Sequence, residues 1–139
     1  MKKDVGLHGP FGLGPWSLEP DGKTWVDRDT GLTCHVQRHP SLGHLCGYVD
    51  IPWELHEAGF SEEEYNDVGI HGGITYAAQK NEQRVYRYGF DCGHRGDLSP
   101  GLNVRKEHEP LFRDEKYRTI EYVEAECREL ARQLKEMMK

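Results

Sequence analysis

Two stretches of the chain concentrate side chains that bind ligands or move protons: Ile70-His71-Gly72-Gly73-Ile74-Thr75-Tyr76, and the run from Tyr88-Gly89-Phe90 through Asp91-Cys92-Gly93-His94-Arg95-Gly96-Asp97 to Leu98-Ser99-Pro100-Gly101. Asp91, His94 and Asp97 recur at steps of three, a D-x-x-H-x-x-D pattern. Carboxylate and imidazole are suitable donors for Zn²⁺, Mn²⁺ or Mg²⁺, so His71, Asp91, His94 and Asp97 form a candidate divalent-metal set. A histidine beside a carboxylate also serves as a general base, which makes His94 and Asp97 the catalytic candidates. Read as a strand, Val68–Ala78 puts His71, Gly73 and Thr75 on one face. The next strand, Arg84–Cys92, puts Arg87, Gly89 and Asp91 on one face. Paired through a hairpin around Lys80-Asn81-Glu82, these faces surround a floor made of Gly72, Gly73 and Gly89. Glycine weakens a strand unless a ligand or another backbone comes close. The candidate ligand-binding residues are therefore His71, Gly72, Gly73, Thr75, Arg87, Asp91, His94, Arg95 and Asp97. The competing reading is a tight loop in which Asp side chains cap backbone amides and glycines take positive φ.

Other candidates are weaker. Cys34, His35, His39, His44 and Cys46 offer zinc ligands, but their spacing fits two paired strand ends joined by Pro40-Ser41-Leu42-Gly43 better than a zinc motif. Ser99 lacks a G-x-S-x-G elbow and Cys92 has no assigned base, so neither reads as a nucleophile. Trp53, His56 and Phe60 form an apolar flap or a lid over the 71–101 segment.

The elements that must position these residues follow from periodicity. Residues 1–22 carry eight glycines and prolines and read as an extended arm, with Phe11, Leu13 and Trp16 as its apolar contacts. From residue 23 to 139 the pattern is one domain. Thr24–Val26 is a short β-like run, and Leu32–Gln37 and His44–Ile51 alternate apolar and polar residues as half-buried strands do. Ser61 and Glu64 stand three apart as a capping box. Ile120, Val123, Cys127, Leu130, Leu134 and Met137 recur at steps of three and four, the mark of an amphipathic helix. The expected fold is α+β: a small, mostly antiparallel sheet of two hairpins packed by one long C-terminal helix. The helical stripe docks on the sheet or, less in keeping with its length, seams two copies. The chain is expected to be a monomer or a homodimer.

Composition bounds the function. A length of 139 residues suits one domain. A formal net charge of −6 disfavours binding to phosphate backbones, so no nucleic-acid partner is expected, although Arg84, Arg87 and Arg95 offer a local patch for small anions. No apolar run is long enough to span a bilayer, and the first residues lack the apolar core of a secretory signal, so a cytoplasmic location is expected. The four cysteines form no C-x-x-C pair and are expected to remain thiols.

Leu45-Cys46-Gly47-Tyr48-Val49, His71–Tyr76, Tyr88–Pro100 and Tyr117-Arg118-Thr119-Ile120-Glu121-Tyr122-Val123 together resemble small uncharacterised proteins encoded in bacteriophage and prophage genomes, over residues 24–134 or so. The resemblance implies a phage-type accessory role in the cytoplasm of a bacterial host and a shared site. It implies no particular reaction. Three functions are compatible with the residues. The first is a binding protein for a small polar, nucleotide-like or metal-bridged ligand. The second is a small metal-dependent hydrolase. The third is an acidic inhibitor whose surface and arm occupy a basic site on a host protein.

Overall fold

The computed structural model describes residues 11, 13–56, 58–101 and 115–139. Residues 1–10 and 12 of the predicted arm lie outside them. Five strands form one antiparallel sheet: β1 (Gly22–Val26), β2 (Thr33–Arg38), β3 (Leu45–Pro52), β4 (Tyr76–Lys80) and β5 (Val85–Asp91). Their spatial order is β1-β2-β3-β5-β4. A short helix, α1 (Glu62–Tyr65), lies between β3 and β4, and α2 (Ile120–Met137) closes the chain. This is the expected α+β arrangement, with β1 extending the first hairpin into a three-stranded meander.

Local chemistry explains the element ends. Asp27 accepts from the Thr30 amide and hydroxyl at 3.0 and 2.7 Å, closing the β1–β2 turn. Ser61 and Glu64 form the reciprocal capping box of α1, with Ser61 N donating to Glu64 Oε1 at 2.7 Å and Glu64 N to Ser61 Oγ at 3.3 Å. Thr119 caps α2 by accepting from Tyr122 N, and Glu19 Oε2 accepts the Ile120 amide at 2.9 Å.

Strand alternation divides the sheet into two unlike faces. Cys34 and Val36 of β2, Leu45, Val49 and Ile51 of β3, and Tyr88 and Phe90 of β5 are buried. Against this face α2 lays Ile120, Val123, Cys127, Leu130, Ala131 and Leu134. All four cysteines are buried free thiols. Burial pushes the Cys34 thiol up to about 12 and the Cys92 thiol up as well, which removes Cys92 as a nucleophile. The register puts Thr24, His35, Tyr48, Asp50, Arg87, Gly89 and Asp91 on the opposite face.

The described part of the arm packs on the body. Trp16, in a 3₁₀ turn over Pro15–Leu18, is 8% exposed and meets Tyr117 edge-on with ring centroids 5.1 Å apart. Glu19 accepts from Arg38 at 3.2 Å and from the Tyr117 hydroxyl as well as from Ile120.

One expectation is corrected. The strand predicted over Val68–Ala78 starts only at Tyr76, because Gly72 and Gly73 take φ of 70° and 77° and turn the chain between Ile70 and Thr75. His71, Gly73 and Thr75 therefore do not share a strand face. Trp53, His56 and Phe60 pack as an apolar flap on β5, within the 71–101 segment: Trp53 lies beside Tyr86, while Phe60 lies beside Tyr88 and His56 against Phe60.

Candidate functional site

The turn at 70–73 and the loop after β5 meet, as the two motifs required. His71 and His94 lie with ring centroids 6.0 Å apart. Between them and α2 sits Asp97, whose side chain is 1% exposed. Its carboxylate accepts from His71 Nε2 at 2.8 and 3.0 Å, from Arg118 Nε at 2.7 Å and from the His94 amide at 3.1 Å. Because a carboxylate can only accept, Nε2 of His71 carries a proton toward Asp97, and Nδ1 on the other side of the ring pairs with the Tyr122 hydroxyl at 2.7 Å. The His71 amide also donates to Glu126 Oε1 of α2 at 2.7 Å. Burial pushes the Asp97 carboxyl up, but the bonds from Arg118 and His71 outweigh it and hold the group below the usual carboxylate range. Burial and nearby Glu126 push the Tyr122 phenol up, which keeps it protonated.

This network joins four parts of the chain. His71 comes from the turn, Asp97 from the loop, Arg118 from the approach to α2, and Tyr122 from the first turn of α2. The loop is further fixed by Leu98 N to Lys116 O at 2.7 Å and Lys116 N to Gly96 O at 2.9 Å. With every partner occupied, Asp97 is a positioning residue and no longer a candidate base. Nor do its lone pairs remain for a metal. Among the described residues, no three His, Cys, Asp or Glu side chains are arranged to hold a metal ion.

Asp91 and His94 form the outer layer. Their side chains are 35% and 34% exposed, with His94 Nε2 3.4 Å from Asp91 Oδ1. Asp91 also accepts from the Gly93 amide at 2.9 Å and from the Thr75 hydroxyl at 3.3 Å. His94 Nε2 is enclosed and makes no hydrogen bond within normal geometry. The ring crosses Gly72, where an added Cβ would fall 2.3 Å from Nε2. Gly72 therefore accommodates the protein's own imidazole. Gly89 is likewise covered, since a Cβ there would meet the Tyr48 ring at 2.3 Å. Of the predicted glycine floor, only Gly73 faces open space. Arg95 is exposed on the same loop.

Arg87 does not join this cluster. The register sets it opposite Asp50 on β3 and Ala78 on β4, and it donates to Asp50 at 2.7 and 3.0 Å. His35 also donates to Asp50 at 2.8 Å and accepts from Thr24 at 3.0 Å, making a separate ion cluster on the sheet face. Burial raises the Asp50 carboxyl, yet the bonds from His35 and Arg87 bring it below its ordinary value.

The Cys/His group around β2 and β3 disperses as strand ends do. Cys34 lies in the core, His39 accepts from the Ser41 and Leu42 amides, and His44 stacks on His39 while bonding Ser99 at 3.1 Å. Sequence reasoning did not assign Arg118 and Tyr122 to the site. Their only local signal is an i,i+4 spacing at the start of an amphipathic helix. No protein-family model, curated protein or solved structure matches this chain.

Proposed function

We propose that the protein is a binding protein for a small polar ligand of nucleotide type, held through its sugar and phosphate between the 70–73 turn and the 91–97 loop. The observation that carries this reading is the layered cluster. A carboxylate–imidazole pair, Asp91 and His94, stays one-third exposed above the Asp97 carboxylate, which His71, Arg118 and the His94 amide saturate. A saturated carboxylate keeps the outer pair in place without competing for the ligand, as preorganised sites require. Asp91 is an acceptor for ligand hydroxyls, Thr75 is beside it, and exposed Arg95 provides donors for a phosphate next to the one-third exposed ring of His94. The resemblance to phage-encoded proteins gives the reading a setting: sequestration of a host signalling molecule in the bacterial cytoplasm. Titration calorimetry with ribose 5-phosphate tests it. Saturable binding that weakens at least tenfold in both Asp91→Asn and His94→Ala is expected. Absence of binding, or binding indifferent to both substitutions, overturns it.

A second reading is favoured by a different observation. Leu13 and Leu18 are 72% and 85% exposed on either side of buried Trp16. They are apolar anchors for a protein partner, in keeping with an inhibitor that engages a host protein through its arm. Leu13→Ser with Leu18→Ser removes these anchors without touching Glu19 or Trp16. Host-protein capture by the unmodified chain that persists in this double variant contradicts the reading.

A further inference from the structure

A concave feature lies at the other end of β5, roughly 20 Å from Asp91 at about 3.4 Å per residue. It is a cleft of about 460 Å³ lined by Trp53, Glu54, Gln79, Arg84 and Tyr86. Trp53 follows β3, and its amide donates to Arg84 O at 3.0 Å, which ties the end of β3 to the β4–β5 hairpin loop. Three observations set this cleft apart.

The first is backbone conformation. Arg84 has φ of 58° and is the non-glycine residue with positive φ among those described. A four-residue hairpin loop commonly asks for this conformation at its last position, and glycine or asparagine meets that demand with less steric strain. An arginine there needs another reason, and strained positions gather at ligand sites. The second is the cation: the Arg84 guanidinium lies 5.1 Å from the centroid of the Trp53 ring, with Tyr86 at 6.2 Å from the same indole. The third is an unmet donor. Trp53 Nε1 is enclosed and has no hydrogen-bond partner, whereas buried indole N–H groups are ordinarily paired.

We propose that this cleft is a separate binding site for a guanine-type base. The flat surfaces of Trp53 and Arg84 provide stacking, which is favourable for any heteroaromatic ring. Glu54 selects among rings. A carboxylate offers two acceptors side by side and so matches the N1–H and N2–H edge of guanine; adenine presents an acceptor in that position. Gln79 donates one amide hydrogen to Asn81 at 2.9 Å and retains a second for the guanine carbonyl. The cleft needs neither phosphate nor sugar, and so does not depend on the Asp91–His94 site.

Guanosine, which lacks phosphate, tests the proposal through tryptophan fluorescence of the full chain, with adenosine and ribose 5-phosphate as comparators. Guanosine is expected to quench saturably, with affinity at least tenfold above adenosine. Glu54→Gln should lose at least tenfold, and Trp53→Phe should remove the saturable change. Arg84→Gly should weaken binding at least fivefold while its thermal midpoint stays or rises, because glycine accepts the positive φ. That variant separates loss of a ligand contact from loss of fold. Equal affinity for adenosine overturns the edge recognition. Wild-type affinity in Arg84→Gly, or no saturable quenching, overturns the site, and competition by ribose 5-phosphate overturns its separateness.

Discussion

Asp97 shows how one buried carboxylate can tie together a turn, a loop and the approach to a helix. Four contacts from three side-chain or backbone donors saturate it, and removing the charge leaves Arg118 and His71 facing a weaker acceptor. Breaking a buried charge pair by losing one partner costs about 3 to 5 kcal/mol, and Asp97→Asn, which keeps the shape, is expected near the lower figure at pH 7. The pH dependence follows from the depressed Asp97 pKa. A carboxyl whose folded pKa lies below its unfolded value of about 3.9 contributes fully above that value and loses its contribution as pH falls through the folded pKa. Urea unfolding of both proteins between pH 7 and pH 3 should show a stability gap that is widest near neutrality and narrows below about pH 4. A gap that stays constant across this range contradicts the assigned charge state. Asp50, also depressed, is present in both proteins and cancels from the difference.

At the scale of elements, close approach between α2 and the sheet depends on Gly47. A Cβ there would lie 2.5 Å from the Phe90 ring and 2.6 Å from Cys127 Sγ, both fixed in the core. Gly47→Ala is therefore expected to destabilise by about 2 kcal/mol through overpacking, measured by urea unfolding; a change under about 0.5 kcal/mol would mean that the helix shifts freely. The helix itself was legible, because its apolar steps of three and four have one physical meaning. So was the capping box at Ser61. The start of β4 was not. Ile70–Tyr76 mimics strand alternation, and only the paired glycines, Gly72 and Gly73, mark the left-handed turn that breaks it. Register was hidden as well. Arg87 and His71 look like partners along the chain, but the β3–β5 pairing gives Arg87 to Asp50. Partners of His71 come from 26 residues away at Asp97 and 51 at Tyr122, a separation at which no periodic signal survives. The apolar residues of the arm carried the signal that it packs on the body, and its polar ties were hidden: Glu19 caps α2 and pairs with Arg38.

Across the whole molecule, the sheet acts as a frame with polar features at both ends of β5: Asp91 and His94 at one, Arg84 with Trp53 at the other. No helix among the described residues is long and apolar enough to cross a membrane. α2 covers one face of this frame, and the side chains of Asp91 and His94 stay about one-third exposed. The central claim, that the outer pair above Asp97 takes a sugar phosphate, is tested most directly by imidazole nitrogen–proton correlation NMR during titration with ribose 5-phosphate. Saturable shifts of the His94 ring, smaller shifts of His71 behind it, and unchanged signals from His35 and His39 are expected. Shifts at His35 that exceed those at His94, or a His94 ring that does not respond at saturating ligand, would contradict that claim.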